Sequence, residues 1–585
     1  MENAQREKQI KQAEEILSDR LQNIGFIQGI FFGKYQSEKL LPYPDIYQNS
    51  KTNTVLENLQ KFCDEKIDPV QIDKEAKISD EIIKGLGDLG ILGACLPKAV
   101  GGMDFSQTDY CQILEILGGH CGSTALFVNA HHSIGPRAIV LFGTEEQQAK
   151  YLPKSVTGEA INAFALTEPE AGSDAGNVQT MAIPTDDGEA YIINGEKRWI
   201  TNGGIASVLT LMARTPVEGS DETKITAFLV TPDMEGFEVV EERMEKCGVR
   251  GTATSRLSFK NMRVPKENIL GTKGRGLKIA LTVLDFGRTT FGASCTGTAK
   301  YCIQKAVEHA NSRVQFNEKL AHFEMVKDKI AYMKAGAFAM EACTYQTAAL
   351  IDSESGDFML ETAILKVFAT ETLWKIVTDT FQIYGGKAYF TDEPFERLMR
   401  DARINMIGEG ANDVLRAFYA VVGMRDVGLN LEAVLNGLKK PFSDVKTVKE
   451  FLGRKIGSYF STPKVKVNTP LLTDEAAQLG KAVSAFGANV ERLLRKYQIN
   501  IIDKQHQLGR VADVITEIYV SSCVLSRLDF ILRSDRYSDQ QKKEYLATGK
   551  YYFKTAQRRI YTNLHNLWDN DDQETNTIAD YSLNV

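Results

Sequence analysis

The sequence predicts a mainly α-helical α+β chain in which a helical domain, a β domain and a helical bundle follow one another, with a further helical domain after them. Three observations carry this. Apolar residues recur at helical intervals from about 50 to 160, short β-like runs fill 161–275, and long helical periodicity returns from Ile279 onward.

Residues 1–50 form an N-terminal arm. Over 51–160, "IIKGLGDLGILGACL" and "YCQILEIL" place apolar side chains three to four positions apart, and Pro97 and the Gly101-Gly102 pair interrupt them. The character then changes. "EAYIINGEKRWIT" has two apolar-rich arms around Asn194-Gly195 and predicts a hairpin there, because a type I′ turn needs φ > 0 at both central positions. "SVLTLMART", "KITAFLVTP" and "TSRLSFKNMRVP" predict further strands of the same β domain, 161–275. Residues 276–428 have few prolines and suffice for about four or five bundled helices. The connecting segment 429–470 is distinct: Lys439, Lys440, Lys446, Lys449, Arg454, Lys455, Lys464 and Lys466 face only Glu432, Asp444 and Glu450. Its apolar residues keep helical spacing, which fits a basic amphipathic helix on a membrane surface and equally a charged helix lying on the protein's own bundle. Residues 471–585 complete the chain as a helical domain.

Composition removes several function classes. The net charge of -7 over 585 residues gives no reason to expect nucleic acid. Nine scattered cysteines without a CxxC pair argue against a disulfide framework or zinc ribbon. Seven histidines without HExxH leave no metal site to expect. The N-terminus mixes Glu2, Glu7, Glu14 and Glu15 with lysines, so neither a secretory signal nor an Arg-rich transit peptide fits. The expected location is the cytoplasm, peripheral to the inner membrane in a bacterium, or the mitochondrial matrix if the numbering is that of a mature chain.

No strand-GxGxxG-helix unit is present, so a nucleotide cofactor must be held by other means. "FALTEPEAGSD", 164–174, supplies the Thr167 and Ser173 hydroxyls around a Pro/Gly-rich turn. "RWITNGG", 198–204, supplies Trp199 and Thr201, two apart and thus on one face of a strand. An indole beside a hydroxyl makes a wall for a flat ring. Taken alone, each string also reads as a surface turn or a core tryptophan. "MIGEGANDVLRAF", 406–418, holds Glu409 between Gly408 and Gly410, where the backbone can approach another group closely. Behind it Val414, Leu415, Phe418, Val421 and Val422 form one helical face, with Asn412 and Asp413 placed to satisfy free N–H groups at its start.

Together with "SRVQFNEKL", "QIYGGKAYF" and "ERLMRDARI", these strings resemble, in order, the motifs of the acyl-CoA dehydrogenase family of flavoproteins. "GIFFGKYQSEKLLPYPD" and the long C-terminal region are most similar to its very-long-chain branch, which includes family member nine. The resemblance implies the acyl-CoA dehydrogenase fold with an extra helical C-terminal domain, and FAD-dependent α,β-dehydrogenation of fatty acyl-CoA, long-chain by branch, to trans-2-enoyl-CoA. It implies Glu409 as the α-proton base and flavin N5 as hydride acceptor.

It further implies that Phe164, Leu166, Thr167, Ser173, Trp199, Ile200 and Thr201 line the FAD, and that Ala411, Asn412 and Asp413 lie near it, with Ala411 where many relatives carry threonine. Arg313, Phe316, Gln382, Gly385 and Gly386 then reach the FAD of a neighbouring subunit in a homodimer. Ser173, Asp285, Arg288 and Gly410 lie at the acyl-CoA. Some relatives carry the base just before the residue matching Arg288; here that position is Gly287, which leaves Glu409. Phe127 and Asn129 are candidates for limiting acyl length. The implied electron acceptor is an electron-transfer flavoprotein. An acyl-CoA oxidase using O2 and a respiratory-complex assembly scaffold of the same fold stand as alternatives.

Overall fold

The computed structural model describes residues 25–353, 356–439 and 462–583. Most of the basic connecting segment therefore lies outside the described residues.

The first helical region is built from short helices with strong start signals. Side chains of Asn49, Asp68 and Ser79 cap α2 (Ser50–Lys66), α3 (Pro69–Glu75) and α4 (Asp80–Asp88), which follow the short α1 (Phe26–Phe31). Capping boxes at Ser106/Asp109 and Thr144/Gln147 open α5 (Gln107–His120) and α8 (Glu145–Thr157). Between these lie α6 (Gly122–Asn129), a π-helical turn at Ala130–Ile134, and α7 (Gly135–Phe142). The adjacent pair His131 and His132 is buried in that turn. His132 Nε2 accepts from Cys95 N at 2.9 Å and His131 Nδ1 from Asn162 N at 3.1 Å, and burial holds both imidazoles neutral.

The β domain is an 8-stranded sheet built from β1 (Asn162–Ala165), β2 (Met181–Pro184), β3 (Ala190–Ile200), β4 (Val208–Pro216), β5 (Thr223–Val230), β6 (Phe237–Glu241), β7 (Ser255–Pro265) and β8 (Ile269–Leu270), in the order β6-β7-β3-β2-β4-β5-β8, with β1 pairing parallel to β4. Here the sequence reading needs correction. Asn194-Gly195 is no hairpin turn: β3 (Ala190–Ile200) runs straight through it, with a bulge between Ile193 and Gly195 against β7 (Ser255–Pro265). The reason is packing. A Cβ on Gly195 would lie 2.4 Å from Thr180 Oγ1, so glycine serves close approach, and Asn194 Oδ1 accepts from Asn261 N at 2.8 Å.

The bundle consists of α9 (Gly276–Ser312), α10 (Glu324–Asp352), α11 (Met359–Tyr384), α12 (Phe395–Ile404) and α13 (Asn412–Lys439). Helix α9 is the central pillar, packing against α5, α10, α11 and strand β5 (Thr223–Val230). The C-terminal domain comprises α14 (Thr473–Tyr497), α15 (Gln505–Arg533), α16 (Asp539–Asn566) and α17 (Asp572–Leu583). Its α15 is buried along most of its length and shares one apolar core with α10 and α13.

The described part of the arm, from residue 25, joins that core. Phe26, Ile27, Ile30 and Phe31 are all buried, Phe31 meets Phe486 edge to face at 5.1 Å, and Ile27 N donates to Glu361 Oε1 at 2.9 Å. A Cβ on Gly423 would sit 2.1 Å from the Phe31 ring. The arm thus clamps the C-terminal domain to the bundle. No helix among the described residues is long and apolar enough to cross a membrane.

Candidate active site

Glu409 lies in the turn that joins α12 to α13, with φ of 55°, and Gly410 follows at 102°. The left-handed region costs a non-glycine residue about 1 kcal/mol, so the surroundings must hold Glu409 there. Buried Lys366 on α11 does this from below, its Nζ donating to Gly410 O at 2.7 Å and to Asn412 Oδ1 at 2.9 Å. The Asn412 amide donates onward to Thr370 Oγ1 at 3.0 Å and Glu371 Oε1 at 3.1 Å. Its side chain is therefore spent on the bundle and not on the free N–H groups of α13. Arg416 clasps Glu371 with both terminal nitrogens and Asp513 of α15 through Nε at 3.0 Å, tying the turn to the C-terminal domain.

From above, Arg288 Nε donates to Glu409 O at 3.4 Å while its Nη1 pairs with Asp285 at 3.0 Å. Thr362 Oγ1 donates to the same Asp285 oxygen at 3.1 Å. Arg288 and Gly410 thus lie beside Glu409, with Asp285 behind Arg288.

The carboxylate points into the protein. Oε1 accepts from Asn129 Nδ2 at 3.2 Å, whereas Oε2 is enclosed and has no hydrogen-bond partner among the described residues. A Cβ on Gly287 would lie 2.5 Å from Oε2, so glycine at 287 makes the room. Gly408 has no such role: a Cβ there would meet nothing closer than Ile404 O at 3.7 Å. Burial raises the Glu409 carboxyl to about 7, against the opposing pull of Arg288 and Lys366. Burial likewise brings the Lys366 ammonium down to about 7, against the attraction of Glu409.

The β domain brings the two strings of the sequence reading together. Arg198 N donates to Thr167 O at 3.0 Å, which joins the two strings 164–174 and 198–204. Beneath them Lys197 Nζ binds Leu166 O at 2.8 Å and Glu168 Oε1 at 2.7 Å, and Thr180 Oγ1 donates to the same carboxylate at 2.6 Å. Although burial alone would raise it, Lys197, Thr180 and Gln179 hold the Glu168 carboxyl below its ordinary value.

Trp199 sits on a bulge with φ of 59° and is 51% exposed, and the strand ends at Ile200. Simple alternation of Trp199 and Thr201 is therefore not what orients them. Ile200 and Phe164 are buried, Leu166, Thr167 and Thr201 are half-buried, and Ser173 is exposed. Asn202 Nδ2 donates to Phe127 O at 3.1 Å, linking the second string to α6, whose last residue is Asn129. Phe127 itself is buried in the core of the first helical domain.

Arg313, Phe316, Gln382, Gly385 and Gly386 are instead on the surface. Phe316 is 90% exposed at the tip of a two-strand turn, and Gly385 and Gly386 face open space. Ala411 is half-buried and Asp413 exposed at the start of α13. Sequence reasoning missed Lys366 and the tie from Asn129 to Glu409. Lys366 had a faint signal, one cation among the apolar positions Ala363, Ile364 and Val367 of α11.

Comparison with known proteins covers most of the chain. The family models "Acyl-CoA dehydrogenase, N-terminal domain", "middle domain" and "C-terminal domain" match residues 49–159, 163–262 and 274–422, and "ACAD9/ACADV, C-terminal domain" matches 470–584. The chain is similar to the very long-chain specific acyl-CoA dehydrogenase, mitochondrial, of Rattus norvegicus, at 34% identity over 568 residues, 95% of this chain and 86% of that protein. The crystal structure of an acyl-CoA dehydrogenase complexed with FAD from Bacillus anthracis is similar at a TM-score of 0.79 and 26% identity, covering 92% of this chain and 91% of that one. A chain in the structure described as the electron transferring flavoprotein of Acidaminococcus fermentans gives 0.61 and 33%, over 65% and 99%. With these domains in order along it, the chain belongs to the acyl-CoA dehydrogenase family, in the branch with the additional C-terminal domain.

Proposed function

We propose that this enzyme oxidises long-chain fatty acyl-CoA to the trans-2-enoyl-CoA, with Glu409 as the base that removes the α-proton. The observation that carries the reading is Glu409 Oε2: an enclosed carboxylate oxygen, unpartnered among the described residues, on a side chain whose backbone is held on two sides. The α-proton of a thioester is weakly acidic, so a base raised toward neutral pH and kept from water suits its removal.

The residues present fit FAD. Half-exposed Trp199, with the Arg198 guanidinium 5.1 Å from its ring centroid, stands near the end of β3 beside the Thr167 and Thr201 strings, and the exposed Ser173 lies in the adjoining loop. Phe164, Leu166 and Ile200 would support this wall from the core side. Bound FAD supplies the acceptor for the hydride that leaves the β-carbon. Glu409 takes the α-proton on Oε2, Arg288 and Lys366 fix its backbone, and the closed surroundings exclude water.

The surface group Arg313, Phe316, Gln382, Gly385 and Gly386, together with exposed Tyr389 and Phe390, supports a homodimer in which these residues complete the partner's cofactor site. Long-chain preference rests on the similarity to the very long-chain enzyme, and an electron-transfer flavoprotein as acceptor on the similarity to the Acidaminococcus fermentans chain. Anaerobic titration with palmitoyl-, octanoyl- and butyryl-CoA, following flavin absorbance, tests the substrate class. Bleaching by palmitoyl-CoA at the lowest concentration supports it, and preferential bleaching by butyryl-CoA refutes the long-chain assignment.

A further inference from the structure

The only side chain that donates a hydrogen bond to the Glu409 carboxylate among the described residues is Asn129, the last residue of α6, from a different domain and 280 positions away in sequence. Its amide is anchored at the other end. Asn129 Oδ1 accepts from Ser133 Oγ at 2.7 Å, and the Thr290 hydroxyl of α9 donates to the same oxygen. The hydroxyls can donate or accept, whereas an ionised carboxylate only accepts, so it is the carboxylate that requires the NH2 group on the Glu409 side. Ser133 lies in the π-helical turn that follows α6, and Thr290 lies three residues beyond Gly287, the glycine that makes room for Oε2. Asn129 is buried, so its amide needs these partners.

An amide N–H donates more strongly to an ionised carboxylate than to the carbonyl oxygen of the neutral acid, so this contact favours the ionised, proton-accepting form. It also fixes the rotation of the carboxylate by occupying Oε1 and leaves Oε2 as the oxygen free to act. Arg288 on α9 and Lys366 on α11 are the charged groups that face Glu409, with Asp285 paired to Arg288 and Glu371 bound to Asn412 beyond Lys366. Both cations hold backbone oxygens of the turn, which leaves Asn129 as the group that addresses the carboxylate itself.

We propose that Asn129, locked by Ser133 and Thr290, is a positioning residue that orients the Glu409 carboxylate and biases it toward its ionised form. This rests on the reading of Glu409 as the base.

The test compares wild type, Asn129→Ala and Asn129→Asp as flavin-loaded enzyme. The pH dependence of the anaerobic flavin-reduction rate with palmitoyl-CoA is followed, and in parallel the infrared band of the protonated carboxyl that disappears in Glu409→Gln. Losing one hydrogen bond to a charged group should move the ascending limb and the infrared titration of Asn129→Ala upward by about one pH unit. Asn129→Asp keeps the side-chain shape but sets a second carboxylate against the first, and should move both at least as far. A limb and an infrared titration at the wild-type pH in both variants overturn the proposal. Ser133→Ala, which removes one anchor, should give a smaller shift of the same sign if the alanine variant binds no flavin, and an unmoved titration there also overturns it. Full flavin reduction by Glu409→Gln would instead remove the base assignment itself.

Discussion

Replacing Glu409 by Gln should make the protein more stable at alkaline pH. In the native state burial raises this carboxyl from an ordinary 4.5 to about 7, so folding favours its protonated form. The favourable contribution is present in full below about pH 4.5 and is lost as pH rises through 7, because the unfolded chain then ionises freely and the folded chain ionises in a closed site. At about 1.4 kcal/mol per pH unit, that shift amounts to as much as about 3 kcal/mol above pH 8. Gln keeps the shape and the acceptor for Asn129 Nδ2 and has no charge to bury. Lys366 loses its attraction to Glu409 in the variant, which lowers the gain. Urea unfolding of apoprotein at pH 5 and pH 8.5 measures it. The variant should match wild type at pH 5 and exceed it at pH 8.5, and an equal or lower midpoint at pH 8.5 refutes the burial argument.

Three further outcomes follow from the same geometry. With Glu409 as the proposed base, kcat/KM should fall as pH drops below about 7, since a carboxyl must be ionised to accept a proton, and a profile flat from pH 5.5 to 8 in steady-state assays would contradict this. Gly287→Ala places a methyl 2.5 Å from Glu409 Oε2 and should lower the flavin-reduction rate by about 100-fold or more, with flavin content retained in the absorbance spectrum. Lys197→Met leaves Glu168 buried without its cation, at a cost of about 3–5 kcal/mol, and should loosen the 164–174 loop enough to lower flavin retention on gel filtration.

Much of the fold and part of the site were legible in the residues. Helical period, the strand runs and the Gly-flanked Glu409 all reflect local chemistry, and Arg288, paired with Asp285, holds the Glu409 backbone. What local reasoning could not see was set by contacts distant in sequence. Asn194-Gly195 carries a turn signal, but close packing against Thr180 makes it a bulge in a continuous strand. The arm residues Phe26 to Phe31 show no partner in the sequence because theirs, Phe486 and Gly423, lie hundreds of positions away. Asn129 looked like a pocket-floor residue by position, and only the approach of α6, α9 and the 405–411 turn puts its amide on the Glu409 carboxylate. Lys366 reads as a helix-surface lysine until α11 is placed under that turn.

The most direct measurement is anaerobic mixing of flavin-loaded wild type and Glu409→Gln with palmitoyl-CoA, followed by flavin absorbance. Wild type should bleach within the dead time or seconds, and Glu409→Gln should bind the thioester yet keep its oxidised spectrum. Bleaching of the Gln variant at a rate near that of wild type would show that another group removes the α-proton.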